Sequence, residues 1–265
     1  PGSASVYGPD RVFAFLNLSG EAWDNPLADA LARAGQPVIV ITLADREKLV
    51  QEFVRWEVAV AIAGAVIGID PFDQPDVEAS KVKARELTDA YEKGEAPAKA
   101  KPLFAEDGVA VYADGADLKP AEQDLEAFLE AHFARAGEGD YVGLLAWIER
   151  NAAHTAALEA MRARIRDKLK TATVLGFGPR FLHSTGQAYK GGPNSGVFLE
   201  ITSSPAHDLS IPGRKITFGQ VEQAQALGDM AVLGERGRRV LRVDLGQDVD
   251  GGLKRLGEAV ERALS

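Results

Sequence analysis

The sequence predicts an α/β protein with a mainly parallel sheet layered by helices on both faces. Two observations lead there. Short apolar runs rich in β-branched residues recur at 11–16, 37–41, 109–112, 141–147, 171–177, 197–201 and 239–243, and longer amphipathic stretches alternate with them. The runs are apolar almost throughout rather than at every second position, the pattern of strands buried on both faces. Ligands of such sheets bind beyond the carboxyl ends of the strands, so the loops there are the first candidates for a site.

The elements follow in order. Residues 11–16 form a buried strand, and 23–34 have helical spacing that Gly35 stops as a C′ glycine. A second strand spans 37–41. Asp45 is placed to cap a long helix through Glu52 and Trp56 to about Ile67. Asn25–Pro26 and Asp70–Pro71 are local breaks, and a further helix covers 75–91 with Pro75 at N1, where its missing N–H costs nothing. Residues 93–102 (KGEAPAKAKP) have linker composition. After the strand at 109–112 come a helix at 120–136, a strand at 141–147, and a helix of alternating charge at 152–170. The strand at 171–177 enters a Gly-rich stretch. A strand at 197–201, a helix at 218–233, a strand at 239–243 and a helix at 251–264 complete the chain.

Composition narrows the function classes. The 265 residues, 46% hydrophobic, can build one large or two small cores. The net charge of -9 repels nucleic acid and anionic lipid, so neither is an expected partner, while a local phosphate pocket stays open. The sequence has no cysteine, which removes disulfide and thiolate chemistry and suits the cytoplasm. The most apolar run, 58–69, is too short to span a bilayer, and Asp70 ends it. Residues 1–5 are small and polar and read as a tag or linker remnant; 6–265 form the folded part, with 6–92 and 103–265 as a candidate subdivision.

Two segments carry polar groups worth chemistry. Gln74 sits at the mouth of the 75–91 helix, where free N–H groups favour an anion or a sugar oxygen. Lys81, seven residues on, is about two helical turns away on the same face, with Glu78 at i,i+3. Spacing alone favours a solvated helix with a Glu–Lys pair. The second segment has glycines at 176, 178, 186, 191, 192 and 196, and among them stand Arg180, His183, Ser184, Thr185, Gln187, Tyr189 and Lys190. Such glycines let a backbone approach a ligand, and His183 adds an imidazole to the donor set. An ordinary long loop satisfying its own backbone is the plain alternative. The segment is neither a Walker loop nor a dinucleotide fingerprint, no cofactor is implied, and no histidine pair has metal-ligand spacing. His132 and His154 on helices and His207 in a loop read as structural or solvated.

The stretch from Arg55 to Lys81, above all Phe72-Asp73-Gln74 followed by Val77-Glu78 and Lys81, resembles the C-terminal signature of phosphoglucose isomerases. Pro75-Asp76 and Ala79-Ser80 depart from that family's usual residues between the functional positions. The Pro-containing form, the stretch from Gly176 to Pro193 and Ala224-Gln225-Ala226-Leu227-Gly228-Asp229 resemble the fusions of transaldolase with phosphoglucose isomerase. The resemblance covers most of 6–265. It implies the C-terminal portion of a glucose-6-phosphate isomerase, with glucose 6-phosphate and fructose 6-phosphate as partners and a sugar-isomerase, nucleotide-binding-like lobe as the fold. It implies that Gln74 contacts substrate, that Lys81 assists ring opening, and that His183 is the ring-opening group, with Arg180, Ser184, Thr185, Gln187 and Lys190 as substrate contacts. In single-function members the histidine follows a Gly-Gln and its motif precedes the Phe-Asp-Gln segment; here both orders are reversed. The family's carboxylate base and main phosphate loop lie upstream of the matched segments, so the chain by itself is expected to be nearly inactive. The family commonly pairs with sites shared between subunits, which makes a homodimer a candidate. The alternative function is a non-catalytic sugar-phosphate-binding or interaction module of the same fold. A transaldolase requires a Schiff-base lysine at the end of a barrel strand, and this strand count gives no such barrel.

Overall fold

The computed structural model describes residues 2–21, 23–95, 100–113 and 118–265. Pro1 of the expected remnant and residues 96–99 of the expected linker lie outside the described residues. The chain divides into two compact units, Pro1–Gln74 and Pro75–Ser265.

In the first unit β1 (Phe13–Leu18) and β2 (Val38–Leu43) pair in parallel, Phe13 opposite Val38 through Leu18 opposite Leu43. Between them in sequence runs α1 (Pro26–Arg33). Its first turn is closed by Asn25, whose side chain accepts from the Ala28 N–H at 3.1 Å, and Gly35 leaves it with φ +82°. Asp45 accepts from the Lys48 N–H at 3.0 Å and starts a 3₁₀ turn that runs into α2 (Leu49–Ile67). That helix ends at Gly68 in the left-handed conformation, φ 75°. It is apolar on most sides, with Phe53, Trp56, Val60, Ile62 and Val66 exposed, as are Leu16 and Val40 of the strands.

The second unit holds a six-stranded sheet. Its strands are β3 (Phe104–Glu106), β4 (Val109–Ala113), β5 (Tyr141–Trp147), β6 (Ala172–Phe177), β7 (Gly196–Thr202) and β8 (Arg239–Asp244), in the spatial order β3-β4-β8-β7-β5-β6. The four strands β8-β7-β5-β6 are parallel; β4 and β3 extend the β8 edge antiparallel. The fold class is therefore α/β with a mostly parallel sheet, as the continuous apolar runs predict. Helices α4 (Leu125–Phe133), α5 (Ala152–Leu169) and α8 (Val249–Ala263) cover one face over Leu144, Ile201 and Val243. On the other face α6 (Gly186–Gly191) and α7 (Phe218–Glu235) pack over Leu145, Phe198 and Val240, and α3 (Pro75–Glu92) stacks on α7 and α6. Fully burying each such side chain contributes about 1.5–3 kcal/mol.

Two expectations shift, and one strand is added. The unit boundary falls at Gln74–Pro75 rather than between 92 and 103, because α3 packs along α7: at Gly228 a Cβ would come within 3.0 Å of the Ala84 backbone N. The helix expected from 120 begins at Leu125, where Asp124 accepts from the Ala127 N–H at 2.8 Å. The short strand β3 has only three residues, too few for a periodic signal, and pairing with β4 creates it. Among the described residues no helix is long and apolar enough to cross a membrane.

Candidate functional site

The Gly-rich segment after β6 is not an open loop. It folds into a 3₁₀ turn at Arg180–His183 followed by α6, anchored by Phe181, Leu182 and Tyr189, which are buried under α7. Ring contacts Trp147–Phe181 at 5.4 Å and Tyr189–Phe198 at 5.2 Å fix it to the sheet. The apolar residues at 181, 182 and 189 were the signal for this, overlooked beside the polar ones.

With the segment fixed, its side chains divide into two groups. Arg180, His183, Ser184 and Thr185 are exposed, and the Ser184 hydroxyl donates to the Phe181 carbonyl at 3.3 Å. Gln187 and Lys190, expected as substrate contacts, face the scaffold. The Gln187 side-chain oxygen accepts from the N–H groups of Asp76 and Val77 at 2.9 and 3.3 Å, and its amide donates to the Asp76 carboxylate at 2.7 Å. It therefore caps the start of α3 from outside the helix, and Arg236 adds an ion pair to Asp76 at 2.7 Å. The Lys190 ammonium is wholly buried, 2.5 Å from the Asp229 carboxylate, which also accepts from the Ser80 hydroxyl at 3.4 Å. Burial raises the Asp229 pKa and Lys190 opposes the shift. The physical reason for both placements is the helical spacing of α6, which turns 187 and 190 toward α3 and α7, while 183–185 precede that helix and stay exposed.

Lys81 and His183, remote in sequence, line one cleft of about 310 Å³. Its walls are α3, the 3₁₀ turn and α7, and Arg85, Thr88 and Gln225 line it too. Lys81 and Arg85 both reach Glu78, at 3.4 and 2.9 Å, and the hydrogen bond from Arg85, then that from Lys81, holds the Glu78 carboxyl below its ordinary range. No carboxylate lines the cleft among the described residues. Arg85 escaped the sequence reading, although it lies one turn beyond Lys81 on the same helix face. Gln74 is exposed and belongs to the first unit.

A larger crevice, about 850 Å³, opens beyond the carboxyl ends of β5, β7 and β8. Here β5 connects to β6 on one side and the chain returns to β7 on the other, the switch point where ligands of such sheets bind. At its floor the Thr202 hydroxyl donates to Asp244 at 2.7 Å and accepts from Arg242 at 3.3 Å, and the Arg242 guanidinium lies 3.9 Å from the Tyr112 ring centroid. Beside Arg242 in register is Glu200, wholly buried, whose carboxyl is pushed well above its ordinary range by burial. Charged residues inside otherwise apolar strands, Glu200 and Arg242, were the sequence signal for this end of the sheet. Among the described residues no cluster of three or more His, Cys, Asp or Glu is arranged to hold a metal ion.

The sheet and its paired helical layers define an α/β protein with a strand-end crevice and a second cleft beside it. No family model matches the chain, and no curated protein matches it. Among solved structures, the crystal structure of hypothetical protein TT0462 from Thermus thermophilus overlaps 95% of this chain at a TM-score of 0.47 and 16% sequence identity. The chain spans 56% of that protein's length.

Proposed function

We propose that the chain is the C-terminal portion of a glucose-6-phosphate isomerase of the transaldolase-fusion kind, and that the Lys81–His183 cleft is its contribution to the site. The observation that carries this reading is the meeting of Lys81 and His183, from segments about a hundred residues apart, in one cleft flanked by Arg85. Opening the ring of an aldose phosphate takes a proton donor and acceptor at the ring oxygen and the C1 hydroxyl, a role for His183. The Lys81 ammonium and the Arg85 guanidinium offer the positive charge that a phosphate or a developing enediolate requires. Carrying the proton between C1 and C2 requires a base, and the cleft is lined by no carboxylate among the described residues. On this reading the chain binds sugar phosphate and opens its ring, and the full protein completes the isomerisation.

The absent carboxylate also favours a second reading, a non-catalytic sugar-phosphate-binding module. Exchange NMR of fructose 6-phosphate anomers separates the two. The isomerase portion accelerates anomer exchange without forming glucose 6-phosphate, and His183→Ala abolishes the acceleration. A binding module leaves exchange at the buffer rate. Full isomerase turnover by the chain alone would sink both readings. In the full-length protein, undiminished turnover by both Lys81→Ala and His183→Ala would remove the site assignment.

A further inference from the structure

The large crevice on the far side of α7 has a chemistry unlike that of the Lys81–His183 cleft. Val221 and Gln225 of α7 face the cleft, whereas Glu222, Gln223 and Ala226 face the crevice. Helices α5, α7 and α8 all begin at the crevice, which would ordinarily favour an anion. The chain has already answered those positive ends. Asn151 accepts from the His154 N–H at 2.8 Å, Thr217 from Gln220 at 3.2 Å and Asp248 from Gly251 at 3.0 Å. Among the described residues five carboxylates, Glu149, Glu222, Asp244, Asp248 and Asp250, line the crevice, against one guanidinium, that of Arg242. Arg242 itself lies 3.7 Å from Asp244. A phosphate entering here meets net negative charge.

A second observation points to what does fit. Ser203, Gln223 and Gln247 line the crevice as well, and their hydroxyl and amide groups both donate and accept. These groups offer a ligand both donors and acceptors, and the carboxylates call for donors. Hydroxyl groups supply both, and an ammonium adds charge complementarity to the rim. The volume suits a ligand of one or two sugar rings, within the range of about 300–1,000 Å³ usual for small-molecule pockets.

We propose that the crevice beyond β5, β7 and β8 is a second binding site, for a phosphate-free polyhydroxylated ligand, with an amino sugar preferred over a neutral one. The site is independent of the cleft that holds Lys81 and His183. Titration of the ¹⁵N-labelled chain with glucosamine, glucose and glucose 6-phosphate tests it. Glucosamine and glucose shift the amides of Ala153, Ser203 and Gln247 saturably, glucosamine with about threefold or greater advantage, and glucose 6-phosphate is about tenfold or more weaker at those amides. The double variant Glu222→Gln/Asp250→Asn, which alters no core residue, brings glucosamine down to parity with glucose while glucose still binds. The proposal is overturned if neither sugar shifts those amides at about 50 mM, if glucose 6-phosphate binds there more tightly than glucose, or if the double variant keeps the amino-sugar preference. Glucose 6-phosphate shifts at Lys81 and His183 report on the other cleft, so failure at one site is distinguishable from failure at the other.

Discussion

Lys190→Met tests whether the Gly-rich segment serves as scaffold. Lys190 and Asp229 are each fully buried, with their charges 2.5 Å apart. At that distance and an effective dielectric of about 20 the attraction is about 7 kcal/mol. Desolvation of two ions offsets it by several kcal/mol each, so the pair as a whole is close to neutral for stability. Removing one partner is a different matter. Methionine preserves the aliphatic stem but leaves the buried Asp229 carboxyl with the Ser80 hydroxyl at 3.4 Å and no cation to pair with among the described residues. The expected loss is about 3–5 kcal/mol. It is read by urea denaturation on the Trp147 signal, in a Trp23→Phe/Trp56→Phe background that silences the other two tryptophans. Lys190→Met/Asp229→Leu removes both charges and recovers most of the loss. A single variant that loses less than about 1 kcal/mol, or a double variant less stable than the single, would refute the reasoning.

Three further outcomes follow from the same interior. Burial raises the Glu200 pKa above its ordinary value of 4.5, so folding favours its protonated form; stability falls as pH rises from about 4.5 through the folded value, by up to about 1.4 kcal/mol per pH unit, and Glu200→Gln flattens that slope in urea titrations at stepped pH. His132 works in the opposite sense: burial, reinforced by Arg135, lowers its pKa from 6.5 to about 3, so its contribution is complete above pH 6.5 and is lost as pH falls toward 3, up to about 5 kcal/mol, and His132→Phe resists acid unfolding followed by circular dichroism. Gln187→Ala strips the start of α3 of its acceptor, costs about 1–2 kcal/mol, and speeds hydrogen exchange at the Asp76 and Val77 amides; unchanged exchange there would show that the cap is dispensable.

The sequence by itself determined the fold class and most of the elements. Continuous β-branched runs marked both strands of the first unit and five of the second, and the cap at Asp45 and the stop at Gly35 sit where local chemistry puts them. These are short-range effects, decided by neighbours in the chain. What needed the tertiary structure was long-range. The order of the parallel strands depends on partners 31 or more residues away, as between Tyr141 and Ala172, and the antiparallel edge at β4 and the assignment of α3 to the second unit on partners more than a hundred away. So does the fate of each polar side chain in the Gly-rich segment. Sequence can place Lys190 and His183 in one segment, but only the packing of α6 against α3 and α7 buries the first against Asp229 and leaves the second in a cleft with Lys81. Burial and charge pairing are properties of where distant segments meet, and no local pattern encodes them.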